Sequence, residues 1–255
     1  MIITRTPLRI SFLGGGTDFA GFYREYGGCV VTTAIDKYVH CIVQKRFDEM
    51  IVVGYSKKEW VVKVDLLEHE LVREALKKTG VSKGVEITFL SDVPAAGTGL
   101  GSSSSVTVGV LNALYQYTGR AVSAEKLAAE ACEIEIDILG KPIGVQDQYI
   151  AAHGGMNFIE FRKDGTISVE PLNLGEELLD DLNSSMMVFF TGKTRQAASI
   201  LKEQKDNIKK KNRILQEMAQ QARVGRRLLQ EGKIAALGKM LDEGWKLKKS
   251  LASKI

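Results

Sequence analysis

The sequence predicts an α+β protein, with mixed strands and helices over 1–185 and a helical continuation over 186–255. Three observations carry this reading. Runs rich in Val, Ile and Thr with loose alternation recur through the first ninety residues. A strand over 85–90 then gives way to a Gly- and Ser-rich loop and an almost wholly apolar helix. From about Thr194 onward the spacing is helical throughout.

Taken in order, residues 2–13 read as a strand that ends in Gly14-Gly15-Gly16. A second β region runs from about Cys29 to Arg46, and short strands are expected over 51–54 and 60–65. Helical spacing over 66–79 stops before Gly80. The apolar helix covers 103–117 and closes at Gly119, and Ser123 caps a further helix that reaches Leu139. A short helix over 147–152 ends at Gly154-Gly155. Strands near 156–161 and 166–171 are joined by a turn at Asp164-Gly165. A strand is expected over 186–191, and the helices beyond it are broken near Gly232 and Gly244.

Composition narrows the function classes. A net charge of +4 over 255 residues does not argue for nucleic acid and suits an anionic small molecule. Lys209-Lys210-Lys211 reads as a solvated helix face rather than a nucleic-acid patch. Cys29, Cys41 and Cys132 lie in apolar surroundings without metal spacing, as reduced core residues of a cytoplasmic protein do. Thr4 and Arg5 interrupt any signal peptide, and no apolar run is long enough to cross a bilayer. His40, His69 and His153 form no ligand cluster in the sequence.

The stretch PAAGTGLGSSSSV, Pro94 to Val106, has the make-up of an anion site. The first amides of a helix lack internal partners and the helix dipole favours negative charge there. Gly97, Gly99 and Gly101 let the backbone approach a phosphate closely, and the serines add donors and a candidate Mg²⁺ ligand. No Lys-Ser/Thr follows the glycines, so this is not a Walker loop, and the glycines alternate too tightly for a dinucleotide fingerprint. A flexible turn before a Ser-capped helix explains the same residues.

Carboxylates supply the second signal. On a wheel of ~100° per residue, Lys126, Glu130, Glu133 and Asp137 share a solvated arc. Leu127, Ala128, Ala131, Cys132, Ile134, Ile138 and Leu139 fill the opposite arc, and Glu135 falls in its middle. A buried carboxylate needs a cation, either an ion-pair partner or a metal facing the Gly/Ser loop. Asp147, in Gly144-Val-Gln-Asp-Gln-Tyr149, follows a glycine-containing turn at a helix start. Arg9 lies among Leu8, Ile10, Phe12 and Leu13, close in sequence to the triple glycine and Asp18. An Arg–Asp pair across a substrate hydroxyl suits phosphoryl transfer, the carboxylate orienting the hydroxyl and the guanidinium stabilising charge.

Together these segments resemble the GHMP kinases, the superfamily of galactokinases, homoserine kinases and mevalonate kinases. Thr6-Pro-Leu-Arg-Ile-Ser-Phe-Leu-Gly-Gly-Gly-Thr-Asp18 is similar to its first motif, the Gly/Ser loop to its phosphate loop, and the Asp147 segment to its catalytic stretch. Three matches in order are far more specific than any one. The run Glu133 to Gly144 and Thr191-Gly-Lys-Thr-Arg-Gln-Ala-Ala198 resemble the branch of bacterial heptose-phosphate kinases and related sugar kinases.

The resemblance implies an N-terminal lobe like domain 2 of ribosomal protein S5, a GHMP-type C-terminal lobe, and ATP with Mg²⁺. It implies Asp147 and Arg9 as catalytic residues, and Glu135 as a metal ligand together with one of Ser102 to Ser104, Ser103 taken first. Pro94, Gly97, Gly99, Leu100, Gly101, Ser102, Ser103 and Ser104 would bind nucleotide. Gly15, Gly16, Thr17 and Asp18 would bind the acceptor. The residues themselves place Lys193 and Arg195 beside a helix start near Thr194, which suits either the distal phosphate of the acceptor or a basic helix start left to solvent. The expected reaction moves the γ-phosphate to the anomeric hydroxyl of a sugar phosphate, D-glycero-D-manno-heptose 7-phosphate first. A neutral sugar such as fucose or galactose is the alternative acceptor, and a non-catalytic nucleotide- or sugar-binding fragment the alternative role. The family's third Gly-rich motif and final strands have no counterpart in these residues. Weak ATP binding, exposed apolar surface and self-association, a homodimer included, are therefore expected of the chain by itself. No nucleic-acid or membrane partner is expected.

Overall fold

The computed structural model describes residues 1–94, 98–189 and 197–253. Contacts group them into two compact units. One holds Met1–Arg9, Ile35–Lys141 and Asp147–Gly154; the other holds Ile10–Ala34, Pro142–Gln146 and Gly155–Ile255. This partition cuts the chain differently from a division at 185, because strands β1 (Ile2–Leu13) and β2 (Gly28–Lys45) contribute residues to both units.

In the first unit, β3 (Ile51–Gly54) lies between β4 (Lys58–Val61) and β5 (Val85–Ser91), antiparallel to β4 and parallel to β5. β5 continues antiparallel onto the C-terminal half of β2, Val39 facing Ser91 and Lys45 facing Val85. The helices α2 (Glu70–Thr79), α3 (Ser102–Tyr117), α4 (Ala124–Cys132) and α5 (Gln146–His153) share one core with these strands. Val43, Ile87, Leu76, Leu111 and Leu114 are fully buried in it. α3 is buried almost all round, as its apolar sequence requires.

In the second unit, the N-terminal half of β2 pairs antiparallel with β6 (Met156–Phe161), and β6 with β7 (Ile167–Pro171). Helices α1 (Ala20–Tyr26), α6 (Glu176–Ser184), α7 (Ala197–Asn207), α8 (Asn212–Gln230) and α9 (Ile234–Lys249) belong to this unit. α8 packs Ala219, Ala222 and Leu229 against Leu13, Cys29 and Val31, and Met218 joins Phe19 and Phe22 in a second cluster. Burial raises the Cys29 thiol to about 11, and its Sγ donates to the Ala219 carbonyl at 3.2 Å. Among the described residues no helix is long and apolar enough to cross a membrane.

The structure departs from the sequence reading at several elements. The 60–65 strand is β4 over Lys58–Val61, followed by a 3-10 turn at Val64–Leu66. The next helix starts only at Glu70, where the His69 side chain accepts from Val72 N. Helices α1 and α6 were not expected; each is short and buries one or two apolar side chains. The strand over 186–191 is not formed at its described residues, and Met187, Val188 and Phe189 are exposed without a partner strand. Gly244 does not break α9; its bare Cα packs against Gln221 and Leu13. The single helix expected after Ser123 is α4 followed by a π-helical turn over Glu133–Ile138, with Leu139 N bonded to Ile134 O at 3.0 Å. That wider turn shifts the apolar arc, so Ile138, expected inside, is 49% exposed.

Candidate active site

The start of α3 is tied to the catalytic stretch through one arginine. Arg9 N donates to Leu100 O at 3.0 Å, and its Nη1 donates to Gly99 O at 2.6 Å. The other edge of the guanidinium grips Asp147, Nε to Oδ1 and Nη2 to Oδ2, both at 2.7 Å. This fork-to-fork pair fixes the carboxylate plane. The side chains are 14% and 24% exposed, so the pair is shielded yet reachable. Gly101 lies against both: a Cβ there would fall 3.2 Å from Arg9 Cγ and 3.4 Å from Asp147 Oδ2. Its φ of +80° is also one that only glycine adopts without strain.

Gly101 is the N-cap of α3 and gives no side-chain cap, so the helix opens with its amides toward a bare loop. The serines divide the labour. Ser105 Oγ donates to Pro7 O at 2.8 Å and braces the loop against β1. Ser102 Oγ lies 3.4 Å from Thr98 Oγ1, and Ser103 Oγ donates to Glu135 Oε2 at 2.8 Å. Ser104 is buried and Pro94 exposed; Gly97 lies outside the described residues.

Glu135 is 0% exposed, on the π-helical turn, as its place in the apolar arc predicted. Burial pushes its carboxyl up, opposed by Lys141 and by hydrogen bonds from Ser103, Ser104 and Thr107. Lys141 Nζ stands 3.9 Å from Glu135 Oε2 and 3.1 Å from Glu70, too far from the buried charge for a close pair. Gln148, directly after Asp147, donates Nε2 to Glu135 Oε1 at 3.3 Å. Its own Oε1 is buried and has no hydrogen-bond partner among the described residues. A carboxylate, a hydroxyl and an orphaned amide oxygen form a hard-oxygen set that fits Mg²⁺ completed by nucleotide phosphates. No group of three or more His, Cys, Asp or Glu side chains assembles a metal site among the described residues.

From Ile10 to Asp18 the first motif belongs to the second unit. Asp18 is 3% exposed; Oδ1 accepts from Gly16 N at 2.9 Å and Oδ2 from Gln146 N at 3.3 Å. Gly144 makes this approach possible, since a Cβ there would fall 1.9 Å from Asp18 Oδ2. Thr17 is fully buried and its hydroxyl both donates to Cys29 O (3.0 Å) and accepts from Cys29 N (3.1 Å). That side chain braces β2 in this geometry and presents nothing to a sugar. Around Gly15 lie Ser11 Oγ, Gln146 Nε2 and Lys248 Nζ, at 3.4, 3.7 and 3.9 Å from where its Cβ would be. Lys248 also donates to Gly15 O at 3.0 Å. Lys193 and Arg195 lie outside the described residues.

Sequence reasoning passed over Ser11, Lys141, Gln146, Gln148 and Lys248. Gln146 and Gln148 flank Asp147 and were within reach of that reading. Lys248 sits over two hundred residues from Gly15, and nothing local in the sequence marks it.

A Gly-rich helix mouth beside a guanidinium-held carboxylate, with a buried carboxylate among hydroxyls, is the constellation of a small-molecule phosphotransferase. Comparison with known proteins gives the family. Residues 66–155 match the GHMP kinases N terminal domain. The chain is 31% identical to D-glycero-alpha-D-manno-heptose 7-phosphate kinase of Campylobacter jejuni, over 98% of this chain and 78% of that protein. It is 28% identical to the galactokinase of Pyrococcus furiosus, over 78% of this chain but 55% of that protein. The crystal structure of a D-glycero-D-manno-heptose 1-phosphate kinase from Bacteroides thetaiotaomicron superposes with a TM-score of 0.84 at 27% identity, covering 98% of this chain and 79% of that one. The chain belongs to the GHMP kinases, and its α+β fold is theirs.

Proposed function

We propose that this chain is a sugar kinase that phosphorylates the anomeric hydroxyl of a sugar phosphate from ATP, D-glycero-D-manno-heptose 7-phosphate being the preferred acceptor. The observation that carries the reading is the Arg9–Asp147 fork against Gly101, which holds a proton acceptor at the mouth of the phosphate loop. Asp147 orients the acceptor hydroxyl and takes its proton as the oxygen bonds to the γ-phosphorus, while the bond to the β-phosphate oxygen breaks and ADP leaves. Arg9 keeps Asp147 in plane and ties it to the loop carbonyl of Gly99. The amides of Ser102, Ser103 and Ser104 hold phosphate oxygens. Ser103 and Glu135 would hold Mg²⁺, which neutralises charge on the phosphates. Gly15, Gly16 and Asp18 are assigned to the acceptor on the strength of their motif.

Relatives named for heptose phosphates support a phosphorylated acceptor, and the galactokinase relative makes a neutral sugar the second reading. ADP release should be measured against a panel of free sugars and sugar phosphates. The heptose 7-phosphate should give the highest kcat/KM. A preference for a free hexose overturns the assignment of the acceptor but not of the kinase, whereas no ADP release with any sugar, with ATP bound, overturns both. Lys193 and Arg195 are assigned to the distal phosphate from sequence alone. Arg195→Ala should raise KM for the phosphorylated sugar by about tenfold, the worth of one charge-assisted contact, and leave the free sugar unchanged; equal effects on both sugars would remove Arg195 from that role.

A further inference from the structure

Outside the motifs, the second unit carries a cavity of about 540 Å³ lined by β6 and by one side of α8. Phe158 and Glu160 come from the strand, and Arg223, Arg226 and Arg227 from the helix. Gln220 and Gln230 complete the lining, continuing the helix stripe at spacings of three and four. The arginines are unequal. Arg226 is held in place, its guanidinium 4.9 Å over the Phe158 ring and hydrogen-bonded to Glu170. Arg223 and Arg227 are exposed and make no ion pair or hydrogen bond among the described residues. Like charges at these spacings repel. The one carboxylate in the lining, Glu160, is bonded to Arg162 at 3.3 Å. Two guanidiniums without an ion pair or hydrogen bond among the described residues thus line a concave site beside a third that is fixed on Phe158 and Glu170.

We propose that this cavity is a binding site for a phosphorylated small molecule, separate in its residues from the kinase motifs. Guanidinium forks match phosphate oxygens in pairs, which an ammonium does not. The volume lies in the range of small-molecule sites and far exceeds what one inorganic phosphate fills. An organic body on the phosphate is therefore implied, set against the glutamine amides. A polyanionic macromolecule fits less well, because Glu160, Glu170 and Glu231 interrupt the basic surface on either side. Occupancy would fall on the helix that backs the first motif: Ala222, next to Arg223, comes within 3.1 Å of where a Cβ at Gly14 would stand.

Calorimetric titration of the chain with pyrophosphate, glucose 6-phosphate, AMP and, as the uncharged control, glucose tests this. The phosphate loop also attracts anions, so two double variants are compared. Arg223→Ala/Arg227→Ala removes the free guanidiniums, and Lys209→Ala/Lys210→Ala removes the same charge from another exposed stretch. The cavity predicts that at least one phosphate ester binds, that glucose does not, and that only the arginine pair raises its Kd, by tenfold or more. Equal weakening by both variants, no change with either, or no binding of any phosphate at millimolar concentration overturns the site. Melting curves check folding, and Arg223→Gln/Arg227→Gln, which keeps the side-chain length, stands in if the alanine pair melts early. Which ester binds best decides between a nucleotide and a sugar phosphate as the natural occupant.

Discussion

Asp147 and Glu135 are both carboxylates within the first unit, and the fold treats them in opposite ways. Asp147 is a quarter exposed and locked by two bonds to a guanidinium. Glu135 is sealed at 0% exposure, with hydroxyl and amide donors and a lysine no closer than 3.9 Å. A paired, partly accessible carboxylate can meet a substrate hydroxyl. A buried carboxylate short of positive charge is costly until a cation arrives. The difference supports the proposal that one acid serves the acceptor and the other a metal, set apart by environment rather than by residue type.

The largest test of this contrast is Asp147→Asn. The amide keeps the shape and one acceptor for Arg9 but cannot take a proton. Turnover should fall by about 10² to 10⁴, the usual worth of a positioned general base. Affinity for ATP should stay within about twofold, because no phosphate contact is assigned to this residue. Steady-state kinetics with nucleotide titration checks both halves, and near-normal turnover removes Asp147 from the mechanism.

Glu135→Gln probes the other carboxylate. If it serves a metal, affinity for MgATP should fall by about tenfold, roughly 1.4 kcal/mol, while affinity for metal-free ATP holds. The melting temperature of the ligand-free protein should stay or rise, since an undercompensated buried charge is removed. A purely structural role for Glu135 with Lys141 makes the opposite prediction, lower stability with no dependence on Mg²⁺.

Gln148→Leu sharpens the comparison, because Gln148 follows one carboxylate in sequence and touches the other. The substitution removes the amide donor to Glu135 together with the buried orphan oxygen. MgATP affinity should drop about three- to fivefold, less than for Glu135→Gln, since a net hydrogen bond contributes about 1 kcal/mol. Turnover at saturating MgATP should change little. A loss of turnover as large as that of Asp147→Asn would instead make Gln148 a support of the proposed base, Asp147.

The sequence made Glu135 legible because a lone acid in an apolar arc is conspicuous even when the helix widens into a π turn, and the same widening misplaced Ile138. Strand β5 was legible because its alternation is local, and β3 because its short apolar run ends at a glycine. Helices α1 and α6 were not, being too short for periodicity to declare. The Arg9–Asp147 bond spans 138 residues, and the motifs announced its members but not their double contact. Thr17 looked like a sugar contact because it sits inside a motif, and only the fold shows its hydroxyl turned onto Cys29. Lys248 had no local signal at all, since helix α9 brings it to Gly15 through tertiary packing.

The smallest expected effect is on pH dependence, and it separates Glu135 from a neighbouring titrating group. His69 caps α2, its Nδ1 accepting from Val72 N at 3.4 Å, between the Tyr55 and Phe89 rings. Burial lowers its pKa, outweighing Glu59 and Glu70, which favour the charged ring, while Lys141 acts in the same sense as burial. A depressed histidine stabilises the fold above its unfolded pKa of about 6.5, and that stability is lost as pH falls through the folded value. Glu135 has the opposite sign: its raised pKa means a contribution present in acid and lost as pH rises through the folded value. In the ligand-free wild type the two slopes partly cancel. Glu135→Gln should therefore make the melting temperature fall more steeply between pH 7 and 5, and His69→Asn, a capping residue that does not titrate, should flatten it. The His69 effect is bounded by the worth of one N-cap, about 1 kcal/mol. Melts of the four proteins, wild type, each single variant and the double, at three pH values measure both slopes. If His69→Asn leaves the slope of the Glu135→Gln protein unchanged, the cap is not the titrating element, and the acid sensitivity of this unit must be sought in its ion pairs instead.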